Sequence, residues 1–314
     1  MRWATAFVAM TAGFLSVAAV YAEDLIGADR AAPPPPSEEN IPPVLDGTLK
    51  KVHDSGAVVI GYREASFPFS FVAGGAARPR GYSIDLCLGI VDEIMRELGG
   101  AAMRVDFVPV TSDTRIEAVM SGKADLECGS TTSNAERQRS VAFSPIIYVA
   151  GTKLLVKRGS GIASYRDLGG KTLVVTSGTT NEAALKQLND KYKLGITIVS
   201  ARDHDESYMM LADGKADAFA TDDVLLYGFI VAKKAAATME VVGDFITYEP
   251  YGIMFRRDDP LMAAVVTRAF AAMAERRALT DTYRSWFLAA GPQSLNLPMS
   301  AQLSAVFRWL GEED

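Results

Sequence analysis

The sequence predicts an α/β fold built as two similar lobes, and three observations lead there. Strand-like and helix-like segments alternate from Ala57 to Ala232. A four-residue phrase recurs at two matching helix-to-strand junctions. Each recurrence leads through a short strand into a loop rich in hydroxyls or carboxylates.

Taken in order, Ala57–Tyr62 reads as a buried strand. Ser83–Leu98 has apolar residues at Ile84, Leu88, Val91, Met95 and Leu98, a helical spacing. Met103–Pro109 reads as a strand, Thr114–Met120 as a helix and Ala124–Cys128 as a strand. The rhythm resumes with strands at Thr172–Thr176, Ile196–Val199 and Ala216–Ala220. Helices at Asn181–Leu188, Glu206–Ala212 and Asp222–Ala232 are interleaved with them. Such alternation builds mostly parallel sheets flanked by helices.

The recurring phrase is Gly122-Lys123-Ala124-Asp125, repeated as Gly214-Lys215-Ala216-Asp217. Each sets a glycine just past a helix end, where left-handed backbone costs glycine least, and then opens a strand. In open α/β sheets ligands sit beyond the carboxyl ends of strands. Gly129-Ser130-Thr131-Thr132 lies there after the first phrase, and Thr221-Asp222-Asp223 after the second. Facing one another, these loops would line a cleft.

The N-terminus bears on compartment. Arg2 precedes an uncharged run from Ala4 to Val20, and Val20-Tyr21-Ala22 suits a cleavage site. This is the pattern of a secretory signal peptide over 1–22. The run is just short of the ~20 residues a spanning helix needs, which favours cleavage over anchoring. Residues 23–46, with Pro33-Pro34-Pro35-Pro36, read as a disordered, proline-rich leader. With net charge −6, the chain lacks the basic surface that nucleic acid demands. Cys87 and Cys128 are too few for a disulfide scaffold or a structural zinc site, and spacing alone does not say whether they are bridged. No metal-ligand cluster or cofactor motif stands out, and a monomer is expected.

Several residues could carry chemistry. Ser133-Asn134-Ala135-Glu136 fits a capping box, with Arg137 on the first turn beyond it. Free N–H groups, the hydroxyls of Ser130 and Thr132, and a guanidinium together suit a carboxylate. Thr176-Ser177-Gly178-Thr179-Thr180 is a hydroxyl-rich strand-to-helix turn without the phosphate-loop spacing, and an ordinary helix cap accounts for it equally well. Asp222 is placed to meet an ammonium or to cap its own helix. Arg63 follows a buried strand and Arg115 opens a helix after Thr111-Ser112. Residues of these two kinds are commonly plain surface charges, and a loop histidine such as His204 is commonly just exposed.

These residues resemble a known family: the periplasmic glutamate/aspartate-binding components of ATP-driven uptake systems, within family 3 of the bacterial solute-binding proteins. The resemblance runs from about Thr48 to the C-terminus. It is carried by Gly61-Tyr62-Arg63-Glu64, Pro68-Phe69-Ser70, Thr111-Ser112-Asp113-Thr114-Arg115 and Glu127-Cys128-Gly129-Ser130-Thr131-Thr132. It continues through Glu136-Arg137-Gln138, Thr176-Ser177-Gly178-Thr179-Thr180, Asp203-His204, Asp222-Asp223 and Tyr251-Gly252.

The resemblance implies a two-lobed, type II periplasmic-binding-protein fold joined by two crossing strands, near Tyr148–Leu155 and Thr247–Met254. Lobe 1 would span 47–150 and 250–314, with the C-terminal helices, and lobe 2 would span 151–249. It implies that Arg137, Thr132 and Thr180 hold a ligand α-carboxylate. Asp222 and the Ser130 region would hold the α-ammonium, and Arg63, Ser112, Arg115 and His204 the side-chain carboxylate. The ligand would be L-glutamate or L-aspartate, handed to a membrane permease, with no cofactor and no catalysis. Three arginines against Asp222 make a cationic site, which matches an acidic side chain. The chain departs from the family at Ile253, where relatives place a cysteine that pairs with the Cys128 position. A bridged Cys128 would have only Cys87 as intrachain partner, and two buried thiols are the expectation.

Two other functions fit the same scaffold. One is a periplasmic dehydratase acting on a prephenate-like acid. It would need a positioned general acid, yet only His53 and His204 exist and no Ser-His-Asp or Cys-His arrangement stands out. The other is a ligand-presenting subunit for a chemoreceptor.

Overall fold

The computed structural model describes residues 44–312 apart from positions 75, 77, 101, 292 and 293. The expected signal peptide and most of the expected leader lie outside those residues. Helix α1 (Gly47–Ser55) leads into β1 (Ala57–Tyr62). The short strands β2 (Ala65–Ser66) and β3 (Ser70–Phe71) follow, then α2 (Tyr82–Glu97), β4 (Arg104–Pro109), α3 (Arg115–Met120), β5 (Leu126–Glu127) and β6 (Val141–Phe143). Strand β7 (Tyr148–Ala150) carries the chain across to β8 (Thr152–Lys157), β9 (Thr172–Thr176), α4 (Thr180–Tyr192) and β10 (Thr197–Ala201). Next come α5 (His204–Ala212), β11 (Ala218–Asp222), α6 (Asp223–Ala232) and β12 (Met239–Val242). Strand β13 (Glu249–Tyr251) returns it to β14 (Met254–Arg256), α7 (Pro260–Glu275), α8 (Ala278–Phe287) and α9 (Ala301–Trp309).

These strands form two five-stranded sheets of the same order, β4-β1-β5-β14-β6 and β10-β9-β11-β8-β12. The first three strands of each pair in parallel. In each sheet the strand arriving from the crossing, β14 or β8, enters antiparallel to both neighbours. The sheets are therefore mixed, and the expected dominance of parallel strands holds only for the βαβ part. The two crossing strands pair with each other, Tyr148 opposite Tyr251 and Ala150 opposite Glu249.

The repeated phrase does the same work twice. Gly122 and Gly214 both take left-handed backbone, at φ 72° and 76°. Asp125 Oδ2 then accepts from Val59 N of β1, and Asp217 Oδ2 from Thr172 N of β9, each at 2.8 Å. A carboxylate thus ties each incoming strand to its parallel neighbour, at equivalent places in the two sheets.

Packing fixes the crossing strands. The Phe69 ring meets Tyr148 and Tyr251 edge-on, both at 5.1 Å, and Phe287 of α8 stacks on Tyr148 at 5.0 Å. Phe69, Tyr251 and Phe287 are fully buried, and burying each such ring is worth ~2–3 kcal/mol. In the second sheet β8 alternates faces, with Leu155 in one core and Leu154 and Val156 in the other.

Three local expectations are corrected. Cys87 and Cys128 are bridged, with Cα atoms 6.3 Å apart. Both are fully buried as expected, but α2 turns Cys87 onto the end of β5, inside the span a disulfide closes. On α2 the buried stripe runs through Ser83, Cys87, Ile90 and Ile94, so Leu88 is 38 % exposed. Ser133 to Glu136 is no capping box. Arg137–Arg139 forms one 3-10 turn, the Asn134 side chain accepts from Arg137 N, and Ser133 Oγ accepts from the Gln138 side chain. The polar run Gln138-Arg139-Ser140 has no apolar face on which to extend a helix.

Candidate functional site

All nine candidate residues stand at the carboxyl ends of the parallel strands or in the connections that follow them. In the first sheet Arg63 follows β1, Ser112 and Arg115 follow β4, and Ser130, Thr132 and Arg137 follow β5. In the second, Thr180 follows β9, His204 follows β10 and Asp222 ends β11. Of these, Thr180 is partly buried and the other eight are buried. Arg63, Arg115 and His204 are each only 2 % exposed, which rules out solvated surface positions for them.

Local chemistry explains the placement. Thr111 and Thr114 exchange backbone-to-hydroxyl bonds of 2.9 and 3.2 Å, closing the loop that carries Ser112 and starts α3 at Arg115. Ser83 at the start of α2 donates to the Gly129 carbonyl at 2.8 Å, and the disulfide holds Cys128 beside it. Thr179 accepts from Glu182 N and Asp203 from Glu206 N, capping α4 and α5 so that Thr180 and His204 open those helices. Asp222 occupies the equivalent position at α6 yet makes no side-chain cap. Its oxygens accept instead from Asn181 Nδ2 at 2.7 Å and from the Tyr251 hydroxyl.

The polar groups are wired together. Arg115 Nη1 donates to Thr131 Oγ1 at 2.8 Å, and that hydroxyl donates to Glu127 Oε2 at 2.7 Å. Arg137 donates to the Thr132 carbonyl at 3.0 Å and, across to the second sheet, to the Gly178 carbonyl at 3.4 Å. Glu249 Oε2 accepts from both Thr132 Oγ1 and Thr180 Oγ1. His204 Nδ1 lies 2.7 Å from Thr176 Oγ1. Asp113 comes so near Gly178 that a Cβ there would stand 2.2 Å from its Oδ1.

Against this wiring, six buried side-chain atoms among the described residues have no hydrogen-bond partner. They are Arg63 Nη1, Ser112 Oγ, Arg115 Nε, Ser130 Oγ, Glu127 Oε1 and Ser66 Oγ. The first four belong to the nine, and native interiors leave few such groups.

Burial, and then the nearby Arg115, lower Arg63 to about 10 and Arg137 to about 9; both stay charged at neutral pH. Burial, then Arg63 and Arg115, push His204 well below its usual 6.5, so it is neutral. Burial, then Glu249, raise Asp222 to about 7.

Glu127, Thr131, Thr176, Asn181, Glu249 and Tyr251 are the participants that sequence reasoning missed. Glu127, Thr131, Thr176 and Tyr251 lay inside the quoted motifs, and Glu249 lay within an expected crossing strand. A carboxylate in an otherwise apolar crossing was the available signal. Glu127 is fully buried and Glu249 is 3 % exposed. These two carboxylates stand with Asp222 beside the three arginines, so the cationic excess expected from sequence is reduced. A separate surface cavity of about 610 Å³, beside Glu64, Asp203 and Lys233, includes none of the nine.

Residues 58–289 match the family described as bacterial extracellular solute-binding proteins, family 3. The chain is 42% identical over 262 residues to the L-glutamate/L-aspartate-binding protein of Pseudomonas aeruginosa PAO1, covering 82% of this chain and 87% of that one. It is 37% identical over 269 residues to the glutamate/aspartate import solute-binding protein of Escherichia coli K12, covering 85% and 89%. Among solved structures it resembles an ancestral amino acid-binding protein, a precursor of cyclohexadienyl dehydratase. That likeness has a TM-score of 0.64 and 30% identity, covering 76% of this chain and 99% of that one.

Proposed function

This chain belongs to family 3 of the bacterial extracellular solute-binding proteins, and from that premise we propose that it captures L-glutamate or L-aspartate between its lobes. Two relatives that it matches over most of their length carry those ligands in their names. In this reading a cleavable signal peptide delivers the chain to the periplasm, where it acts as a monomer and passes its ligand to an ABC-transporter permease. Arg137 takes the α-carboxylate, with Thr132 and Thr180 flanking it from the two walls. Asp222 and the Ser130 region take the α-ammonium, and Arg63, Ser112, Arg115 and His204 take the distal carboxylate.

The observation that carries the reading is the set of buried, unpartnered donors Arg63 Nη1, Arg115 Nε and Ser112 Oγ. A second ligand carboxylate would satisfy all three. With Glu127 and Glu249 beside the arginines, selectivity rests on pairing more than on net charge. A glutamine amide would turn its N–H groups toward guanidinium N–H groups, leaving donors unpaired at a cost of ~1–3 kcal/mol each. The bonds from Arg137 to Gly178, and from Thr132 and Thr180 to Glu249, join the two walls of the cleft, so ligand would favour the closed form. A thermal-shift panel of the common amino acids tests the assignment. Glutamate and aspartate should raise the melting temperature most, and a chain stabilised equally by glutamine or arginine would refute it.

The likeness to a dehydratase precursor keeps one rival in view. Asp222, held near 7, is the group in this site with the titration range of a general acid. His204 is neutral and engaged with Thr176. The close relatives carry names of binding proteins. Release of carbon dioxide and water from a prephenate-like acid by the purified protein would reverse the ranking.

A further inference from the structure

Glu249 sits on β13, in the returning crossing, and is 3 % exposed. One of its oxygens, Oε2, accepts two hydrogen bonds, from Thr132 Oγ1 at 2.6 Å and from Thr180 Oγ1 at 2.7 Å. The two threonines belong to opposite walls. Thr132 follows β5 of the first sheet and forms an isolated bridge with Tyr251, two residues from Glu249. Thr180 opens α4 in the second.

A hydroxyl has a single hydrogen to donate and two lone pairs to accept with. Both hydrogens are committed to Glu249, so toward the cleft these side chains can only accept. Carboxylate binding on that side then falls to Arg137 and to backbone N–H groups, such as those of the first turn of α4.

We propose that Glu249 is a positioning residue of the binding site: by receiving Thr132 from one wall and Thr180 from the other on a single oxygen, it fixes both hydroxyls as acceptors toward the ligand and ties the closed cleft together. The inference rests on the amino-acid-binding reading above and adds a residue to which that reading assigns nothing. Alanine at this position leaves the buried Thr132 hydroxyl and the partly buried Thr180 hydroxyl without their acceptor. Glutamine keeps one acceptor oxygen in the same place while removing the charge and turning the other oxygen into an N–H donor.

That charge gives a readout that a purely structural role would not move. Asp222 is surrounded by Glu249, Asp223, Tyr251 and Asn181, with Arg115 and Arg137 within its field. Of these, Glu249 is the largest electrostatic cause of its raised titration range. Removing the charge should move the pH midpoint of binding to lower pH.

The experiment is calorimetric titration of glutamate into the unaltered protein, E249A, E249Q, T132V and the double variant T132V/E249A, from pH 5 to 8. Circular dichroism melts check that each variant is folded. E249A should bind at least about tenfold more weakly, and E249Q about tenfold more tightly than E249A, with its pH midpoint below that of the unaltered protein. The double variant should be no worse than about threefold below the weaker single variant, because both changes break one interaction. E249A binding within about threefold of the unaltered protein, or fully additive losses in the double variant, overturns the proposal. Should E249A not fold, E249Q decides it: an unmoved pH midpoint overturns the role. An unaltered protein that binds no acidic amino acid instead refutes the functional reading.

Discussion

The Tyr251 hydroxyl, on the returning crossing strand, donates to Oδ2 of Asp222 at the end of β11. The hinge thereby touches the one carboxylate of the second lobe that was singled out from sequence. That bond lowers the titration range of Asp222, while burial and Glu249 raise it, and the net result is about 7 against an ordinary 3.8.

A pH dependence follows. If the ligand ammonium pairs with ionised Asp222 as proposed, protons compete below about pH 7. Apparent affinity should fall as pH drops below 7, approaching tenfold per unit, with about one proton released per ligand bound near pH 6. Stability of the ligand-free protein runs the other way for this group. Its folded value lies above its unfolded one, so its contribution is complete below about pH 4 and is lost as pH rises toward 7. Y251F should raise the midpoint of binding further. Calorimetry in buffers of different ionisation enthalpy measures both quantities.

Arg115 should govern selectivity. It is buried, and it reaches Glu127 through the Thr131 hydroxyl. R115A should weaken glutamate binding about 100-fold and glutamine binding far less, because the proposed function assigns Arg115 to the distal carboxylate. Paired titrations check this, and melting curves should still show a cooperative fold.

Gly178 should govern closure. Its φ is +72°, and a Cβ would stand 3.0 Å from the Asp113 backbone of the facing wall. G178A should weaken glutamate binding at least about tenfold, through both backbone strain and the clash. Small-angle scattering should show glutamate compacting the unaltered protein and compacting the variant less.

The disulfide closes a separation of 41 residues. By the chain-entropy estimate its loss costs ~4 kcal/mol. C87A/C128A should unfold at clearly lower denaturant, and glutamate binding should weaken because Cys128 precedes the Gly129–Thr132 loop. Equilibrium unfolding with and without the bridge tests it.

Much of this site was legible because its residues sit where local pattern is strongest. Ala57–Tyr62 and Thr172–Thr176 are strands over the residues read from the sequence. The repeated Gly-Lys-Ala-Asp phrase marked equivalent junctions, and the loops beyond the parallel strands follow from that. What pattern could not supply was partnership across space. The bridge between Cys87 and Cys128 depends on which face of α2 meets β5, and the apolar spacing points through Leu88 instead. The charge of the site also depends on Glu127 and Glu249, whose burial strand spacing alone does not fix. Asn134, a better local acceptor than Ser133, decided the turn before Arg137.

Calorimetric comparison of glutamate with glutamine on the unaltered protein at pH 7.5 tests the central claim most directly, namely that the buried guanidinium groups of Arg63 and Arg115 select a second carboxylate. Two to three unpaired donors predict at least about 100-fold tighter binding of glutamate. Equal affinity for the two would contradict it.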